Sequence, residues 1–196
     1  YRALKDLDVG ASGNNTALGY NAGANVTTGT RNSYVGALAG DASTTGERNV
    51  AMGHGALSDD TTGNRNTAIG YQSFTTANTT GGGNIYNTGL GYQSGSAVTT
   101  GAYNTLLGGF AGDAIQSGGS NICIGYSADT AHDTSNGIVI GINITGADND
   151  FSFGKASNVV TNDFDSDANW SRSSDVRLKK NITDQNLGLD FINDLR

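Results

Sequence analysis

Residues 66–71 read NTAIGY, and this short stretch returns along the chain at nearly constant spacing. Related hexapeptides occur at 15–20, 32–37, 49–54, 87–92, 104–109 and 121–126, and a degraded copy, GIVIGI, lies at 137–142. The period is 17 residues, with a four-residue insertion near residues 81–84. We call the recurring glycines the marker glycines; they are Gly19, Gly36, Gly53, Gly70, Gly91, Gly108, Gly125 and Gly141. A fixed period of this kind indicates a repeat architecture.

Seventeen residues are too few for a strand and a packed helix with loops, but they suffice for two short strands and two turns. The sequence therefore predicts an all-β fold, a parallel β-solenoid or β-roll over residues 14–147. Eight coils stacked about 4.8 Å apart would form a rod roughly 40 Å long. Small residues three places after each marker predict the second strand of each coil; they are Ala22, Ala39, Ala56, Ser73, Ser94, Ala111 and Ala128.

Three columns of residues follow from stacking the coils. Large apolar residues directly before the markers predict one buried column: Leu18, Val35, Met52, Ile69, Leu90, Leu107, Ile124 and Ile140. Asparagines predict a ladder of side-chain amides: Asn15, Asn32, Asn49, Asn66, Asn87, Asn104 and Asn121. Residues two before the marker lie on the opposite strand face, so we expect that face to pack against symmetry mates around a threefold axis.

The composition excludes several classes of protein. The chain has 30 glycines, no proline and 36% hydrophobic residues, which suits a repetitive rod better than a two-layer globule. A net charge of -7 argues against a nucleic-acid partner, because such proteins rely on clustered Lys and Arg. No run of 18 apolar residues exists, so no membrane insertion is expected. The chain begins with Tyr1, which indicates a fragment or a processed product.

No cofactor or metal is predicted. The single cysteine, Cys123, has no partner for a disulfide or a zinc site and is expected to be buried as a small apolar residue. Asp163, Asp165 and Asp167 alternate as in a calcium loop, but the glycine and terminal glutamate of such a loop are missing. We therefore interpret them as solvated residues of a linker.

The organisation outside the repeats has three parts. Residues 1–13 are predicted to be an N-terminal connector, and residues 148–172, where the period is lost, a linker. Residues 173–196 form a separate C-terminal segment. Within it, Leu187, Phe191 and Leu195 recur at helical spacing, which predicts a short helix.

The Asn-x-x-Ile-Gly-Tyr repeats, over residues 14–142, resemble the heads of trimeric autotransporter adhesins and the shafts of phage tail fibres. The resemblance implies a homotrimer that contacts other tail or fibre proteins and a host-cell surface receptor, such as a glycan. It further implies an extracellular location on a virion.

The run Trp170–Ile182, WSRSSDVRLKKNI, resembles the start of the intramolecular chaperone domain of phage tailspikes and fibres. In that family the domain templates trimer formation and then removes itself. The resemblance implies that Ser174 is the nucleophile, that Lys179 is its base, and that the bond between Ser173 and Ser174 is cut. A serine needs such a base at neutral pH, and a nearby cation such as Arg177 lowers the pKa of a lysine. From spacing alone, the same residues also fit a helix cap followed by a solvated basic stretch.

The expected function is that of a host-attachment rod, the distal part of a trimeric tail fibre, with at most one self-cleavage per chain. A bacterial adhesin head is the alternative, and an ice-binding solenoid is less favoured because no Thr-x-Thr strand occurs. The sequence shows no carboxylate pair or histidine cluster that would support multi-turnover catalysis. Tyrosines after the markers form a surface stripe that either binds sugars or packs each ring on the coil below; they are Tyr20, Tyr71, Tyr92 and Tyr126, with His54 in register.

Overall fold

The computed structural model describes residues 2–7, 13–78 and 83–166, and within these ranges the chain is all-β without a helix. Short parallel strands stack into a β-solenoid of about eight coils, which confirms the predicted fold class. The predicted C-terminal helix lies outside the described residues. The strands are β1 (Thr16–Leu18), β2 (Ser33–Val35), β3 (Val50–Met52), β4 (Thr67–Ile69), β5 (Thr88–Leu90), β6 (Thr105–Leu107), β7 (Ile122–Ile124), β8 (Ala128–Thr130), β9 (Ile138–Ile142), β10 (Ile144–Gly146), β11 (Asp150–Lys155) and β12 (Asn158–Asp163).

Ten of these strands form one sheet in the order β1-β2-β3-β4-β5-β6-β7-β9-β11-β12. Each repeat strand pairs in parallel with its equivalent one coil away, so that Thr16 is opposite Ser33. The insertion does not disturb this register, because Thr67 is still opposite Thr88. The insertion lies in the chain between β4 and β5, where Asn84 forms an isolated bridge with Asn64.

The predicted assignment of inner and outer strand faces is wrong. The residues two before the markers point into the solenoid; Ala17 in the first coil is partly buried and the others are fully buried, among them Tyr34, Ala51, Leu106 and Cys123. The predicted buried column lies outside, where Leu18 is 69% exposed. The interior is too narrow for a large side chain in every coil, so small residues occupy most inner positions and the larger aliphatic residues face outward.

Large inner residues are accommodated by glycines in neighbouring positions. A Cβ added to Gly40 would overlap the ring of Tyr34, and one added to Gly112 would overlap the side chain of Leu106. At the inner position of β5 stands Gly89, whose missing side chain leaves room for Phe74. Volume in the core is thus balanced within and between coils, as close packing requires.

The small residues after the markers are buried as predicted, but they do not form a second strand in most coils. In the first six coils the positions two and four after the marker have positive φ, as at Asn21 (53°) and Gly23 (57°), which breaks an extended backbone. The seventh and eighth coils have an extended segment there, because Asp129 and Thr145 stand where earlier coils have the second left-handed residue. Their strands β8 and β10 pair in parallel and form a second sheet of two strands.

The predicted linker is in part a β-hairpin. Strand β11 pairs in parallel with β9 and in antiparallel fashion with β12, so residues 150–163 continue the main sheet. The strands reverse at Ala156, which has a φ of 48°. The repeat period is lost here because the chain turns back on itself instead of completing another coil. Residues 167–172 of the linker lie outside the described residues.

The predicted N-terminal connector is partly docked on the first coil. The amides of Leu4 and Asp6 donate hydrogen bonds to the carbonyl oxygens of Ala22 (3.1 Å) and Ala24 (3.3 Å). Leu4 and Leu7 also pack against the core. These residues therefore cover part of the open end of the solenoid.

The asparagine ladder is present, but its bonds join side chains to backbone and do not join amide to amide. The Oδ1 of Asn104 accepts a hydrogen bond from the backbone N–H of Asn121 (3.0 Å). Its Nδ2 donates to the carbonyl oxygen of Gly118 (3.0 Å). Asn32, Asn49 and Asn87 make the same two bonds, so each buried amide ties its own coil to the next. At Asn66 the Nδ2 donates instead to Asp60 (3.1 Å).

Candidate functional site

The most extensive candidate interaction surface is the outer face of the main sheet. Pairing places the residues before the markers in one line, and the terminal hairpin extends that line through Phe153 opposite Ile140 and Val160 opposite Phe153. We call this line the outer apolar column; it consists of Leu18, Val35, Met52, Ile69, Leu90, Leu107, Ile124, Ile140, Phe153 and Val160. Ten strands spaced about 4.8 Å apart give it a length of roughly 43 Å.

This column is accessible in the single chain. Met52 is 42% exposed and Leu90 is 49% exposed, while their neighbours Val35 and Ile69 are half-buried by the adjacent coils. The residues two places before each column residue lie on the same face of the strand. They are threonine in most of the first six coils, but in the last coils they are Ile122, Ile138 and Phe151. A continuous apolar surface of this length on one face indicates an interaction surface.

A column of aromatic residues borders this face. His54, Tyr71 and Tyr92 stack nearly parallel, with ring centroids 5.5 and 5.3 Å apart. Further along, Phe110 meets Tyr92 edge-on at 5.1 Å and Tyr126 edge-on at 5.8 Å. Because neighbouring rings occupy the flat faces between His54 and Tyr92, this arrangement favours the structural interpretation of the tyrosine stripe over sugar stacking.

A pair of carboxyl groups lies where the solenoid gains its second sheet. Asp129 is 7% exposed, and its carboxylate accepts hydrogen bonds from the amides of Ala114 (2.7 Å) and Thr130 (2.8 Å). The pKa of Asp129 is raised to about 7, chiefly by burial. The neighbouring carboxyl of Asp113 also raises it, and the two amide hydrogen bonds partly offset these effects. Sequence reasoning missed this pair, because residues 16 apart in chain meet only through coil stacking.

This pair predicts that the protein loses stability as the pH rises. The folded-state pKa of Asp129 lies above its ordinary value of 3.8, so between about pH 4 and 7 the folded state binds more protons than the unfolded state. Its contribution to stability is complete below about pH 4 and is lost as the pH rises through about 7. Between about pH 4 and 7 we expect the thermal midpoint to fall less for Asp113→Asn than for the wild type, because the new amide can donate a hydrogen bond to the Asp129 carboxylate. Superimposable pH profiles of the two proteins would contradict this interpretation.

Cys123 is buried in the core, as predicted. Burial, and then the nearby charge of Asp129, raises the pKa of its thiol to about 12. A buried thiol with this pKa is not a nucleophile at neutral pH. Within the described part of the chain, Asp113 and Cys123 are titratable groups that interact with Asp129.

The aspartates after the repeats stabilise a turn. Asp163 accepts hydrogen bonds from the Asp165 amide (2.9 Å) and the Ser166 hydroxyl (2.6 Å), which lower the pKa of its carboxyl. Asn149 donates to Asp165 (2.7 Å). Asp167 lies outside the described residues. In the part of the chain that the structure describes, no three His, Cys, Asp or Glu side chains are grouped as metal ligands.

The predicted cleavage residues Ser173, Ser174 and Lys179 also lie outside the described residues. Their roles therefore stay predictions from the sequence. Over residues 2–7, 13–78 and 83–166, no helix has the length and apolarity needed to cross a membrane.

Comparison with protein-family models, with curated proteins and with solved structures finds no match to this chain.

Proposed function

We propose that this chain is the distal part of a trimeric virion tail fibre, a rigid extracellular rod for host attachment that ends in a self-processing chaperone segment. The observation that carries the proposal is the outer apolar column, which runs along the sheet without cover in the single chain. The resemblance of residues 170–182 to the chaperone domain of phage fibres supports the processing step.

Three parallel copies would bury this column around a common axis. Each coil presents an equivalent apolar residue at the same place, so copies in register bring like coils together along the rod. Rotation about a threefold axis closes such an interface and leaves no face open for further addition. Burying each exposed side chain would contribute roughly 1–2 kcal/mol, and the column repeats this contribution in every coil.

The processing step would follow serine chemistry. Lys179 takes the proton of the Ser174 hydroxyl, and the oxygen attacks the carbonyl carbon of Ser173. The peptide bond between Ser173 and Ser174 breaks as its nitrogen gains a proton, and the acyl group passes to the Ser174 oxygen. Water then hydrolyses this ester, which leaves a mature chain ending at Ser173.

The intact mass and the oligomeric state of the full gene product test the proposal. We expect a trimer whose chains end at Ser173, and full-length chains in Ser174→Ala and Lys179→Ala. Uncut wild-type trimers would contradict the processing step but would still agree with the proposal that the protein is a trimeric fibre. A coiled-coil stalk and a membrane barrel encoded after the repeats would favour a bacterial adhesin head instead.

Charges on the outer apolar column should dissociate the trimer. Met52→Asp with Leu90→Asp places two carboxylates at exposed positions, so the single chain can fold while the assembly cannot form. The matched control is Thr45→Asp with Thr100→Asp, which adds the same charge at exposed turn positions away from the sheet face. Sedimentation should find monomers for the first variant and trimers for the second. Trimers in both would show that the column is not the interface.

A further inference from the structure

One corner of the solenoid carries a line of cationic and aromatic residues. Five places before the marker glycines, successive coils present Arg31, Arg48, Arg65, Tyr86 and Tyr103. We call this line the arginine corner. The regular offset is visible in the sequence, but only the coil register shows that these side chains are neighbours.

Backbone bonds set this register. The amide of Arg48 donates to the carbonyl oxygen of Thr30 (3.0 Å), and the amide of Arg65 donates to that of Glu47 (3.0 Å). All five corner residues have left-handed φ values, between 55° and 63°. Side-chain contacts confirm the alignment, because the guanidinium of Arg65 lies 5.4 Å from the centre of the Tyr86 ring.

The corner concentrates positive charge on an acidic protein. The described residues contain six Lys and Arg, and three of them occupy this one line, although the chain has a net charge of -7. Among the described residues, only Glu47 forms an ion pair here, with Arg48 at 3.0 Å. The backbone positions of the three arginines follow one another at one coil spacing, about 4.8 Å, so like charges share one line and an anion bound along it would offset their repulsion.

The aromatic end of the line adds a second kind of contact. The rings of Tyr86 and Tyr103 stack with centroids 5.7 Å apart, so Arg65 and Tyr103 both contact Tyr86. Tyr103 is 58% exposed, and the same position of the next coil holds the small Ser120. A ring with an accessible face beside a row of guanidinium groups suits a ligand that has both anionic groups and flat apolar faces.

We infer that the arginine corner binds an extended acidic polysaccharide, with carboxylate or sulfate groups on the three arginines and a sugar ring on Tyr103. Guanidinium groups bind such oxyanions in a bidentate manner. The line runs along the rod, so it fits a polymer better than a single small anion. This inference rests on the proposed attachment function and names the chemistry of the receptor.

Binding of the full-length protein to immobilised polysaccharides tests the inference. The polymers are alginate for carboxylates, heparin for sulfates and neutral dextran as the control. We expect binding to alginate or heparin, no binding to dextran, and a loss of roughly tenfold in affinity for each guanidinium removed. Arg31→Asn, Arg48→Asn and Arg65→Asn suit the left-handed backbone, so these variants should remain folded.

The matched control is Arg2→Asn with Lys5→Asn and Lys155→Asn, which removes three charges elsewhere on the rod. Equal loss of binding in both triple variants would overturn the inference, because net charge alone would then explain binding. Absence of binding to either acidic polymer, or equal binding to duplex DNA, would overturn it too. Tyr103→Ser introduces the residue that the next coil has at this position, Ser120. This variant should bind the polysaccharide more weakly, and its binding of small sulfate ions should be unchanged.

Trimer formation and cleavage, measured on the same samples, separate this inference from the proposed function. A cleaved trimer that binds neither polymer would agree with the proposed fibre function and would contradict only the inference about the arginine corner. If the arginine variants dissociate the trimer, the corner is part of the subunit interface and the polysaccharide inference fails.

Discussion

Gly108→Ala should destabilise the solenoid by about 2–5 kcal/mol, the largest effect we expect from one methyl group. Gly108 has a φ of 138°, a conformation that L side chains rarely adopt. A Cβ there would overlap the carbonyl oxygen of Gly125 in the next coil, which belongs to the backbone and cannot move aside. Thermal unfolding at a fixed scan rate should show a midpoint lower by roughly 5–15 °C.

The adjacent Gly109 provides the matched control. Its added Cβ would lie 3.6 Å from the nearest atom, Cδ2 of Tyr126, which is an ordinary contact. The same position of an earlier coil holds Ala37, so Gly109→Ala should change stability by less than about 1 kcal/mol. Similar midpoints for the two variants would show that the stability of the solenoid does not depend on the positive φ and close stacking of the marker glycines.

Asn104→Ala should cost about 2–5 kcal/mol, since it removes one rung of the ladder and leaves two buried backbone groups without partners. These groups are the N–H of Asn121 and the carbonyl oxygen of Gly118. Asn104 is fully buried, so water cannot replace the lost amide without opening the coil. Hydrogen exchange should quicken most in β6 and β7, the strands on either side of the missing rung.

Asn25→Ala is the comparison for this rung. Asn25 is exposed and its amide makes one bond, to the carbonyl oxygen of Asp41 (2.7 Å), which water can replace. We expect a change below about 1 kcal/mol. Equal destabilisation by the two substitutions would mean that burial of the ladder contributes little.

The marker glycines and the ladder together explain why a chain with so few hydrophobic residues can form a rigid rod. Each coil contacts only its neighbours, so stability depends on the bonds repeated between adjacent coils. The narrow interior holds mostly small side chains, and the larger aliphatic residues remain on the outer face. A rod of this kind leaves its apolar surface available for assembly.

The sequence by itself determined the period, the strand that precedes each marker glycine, and the asparagine ladder. These features recur every 17 residues because a stacked coil places each residue directly above its equivalent, so local chemistry must repeat. The same sequence suggested the chemistry of Ser174 and Lys179 through a contiguous motif. Those two residues lie beyond the described part of the chain and await the cleavage experiment.

Only the tertiary structure decided which strand face is inside. Alternation separates Leu90 from Gly89, but it does not say which of the two points inward, and residue size suggested the wrong answer. The interior volume is shared between coils, as where Phe74 fills the space above Gly89, and no single repeat reveals this. Stacking also created the Asp113–Asp129 pair and the arginine corner, because residues far apart in sequence become neighbours only when the coils are closed.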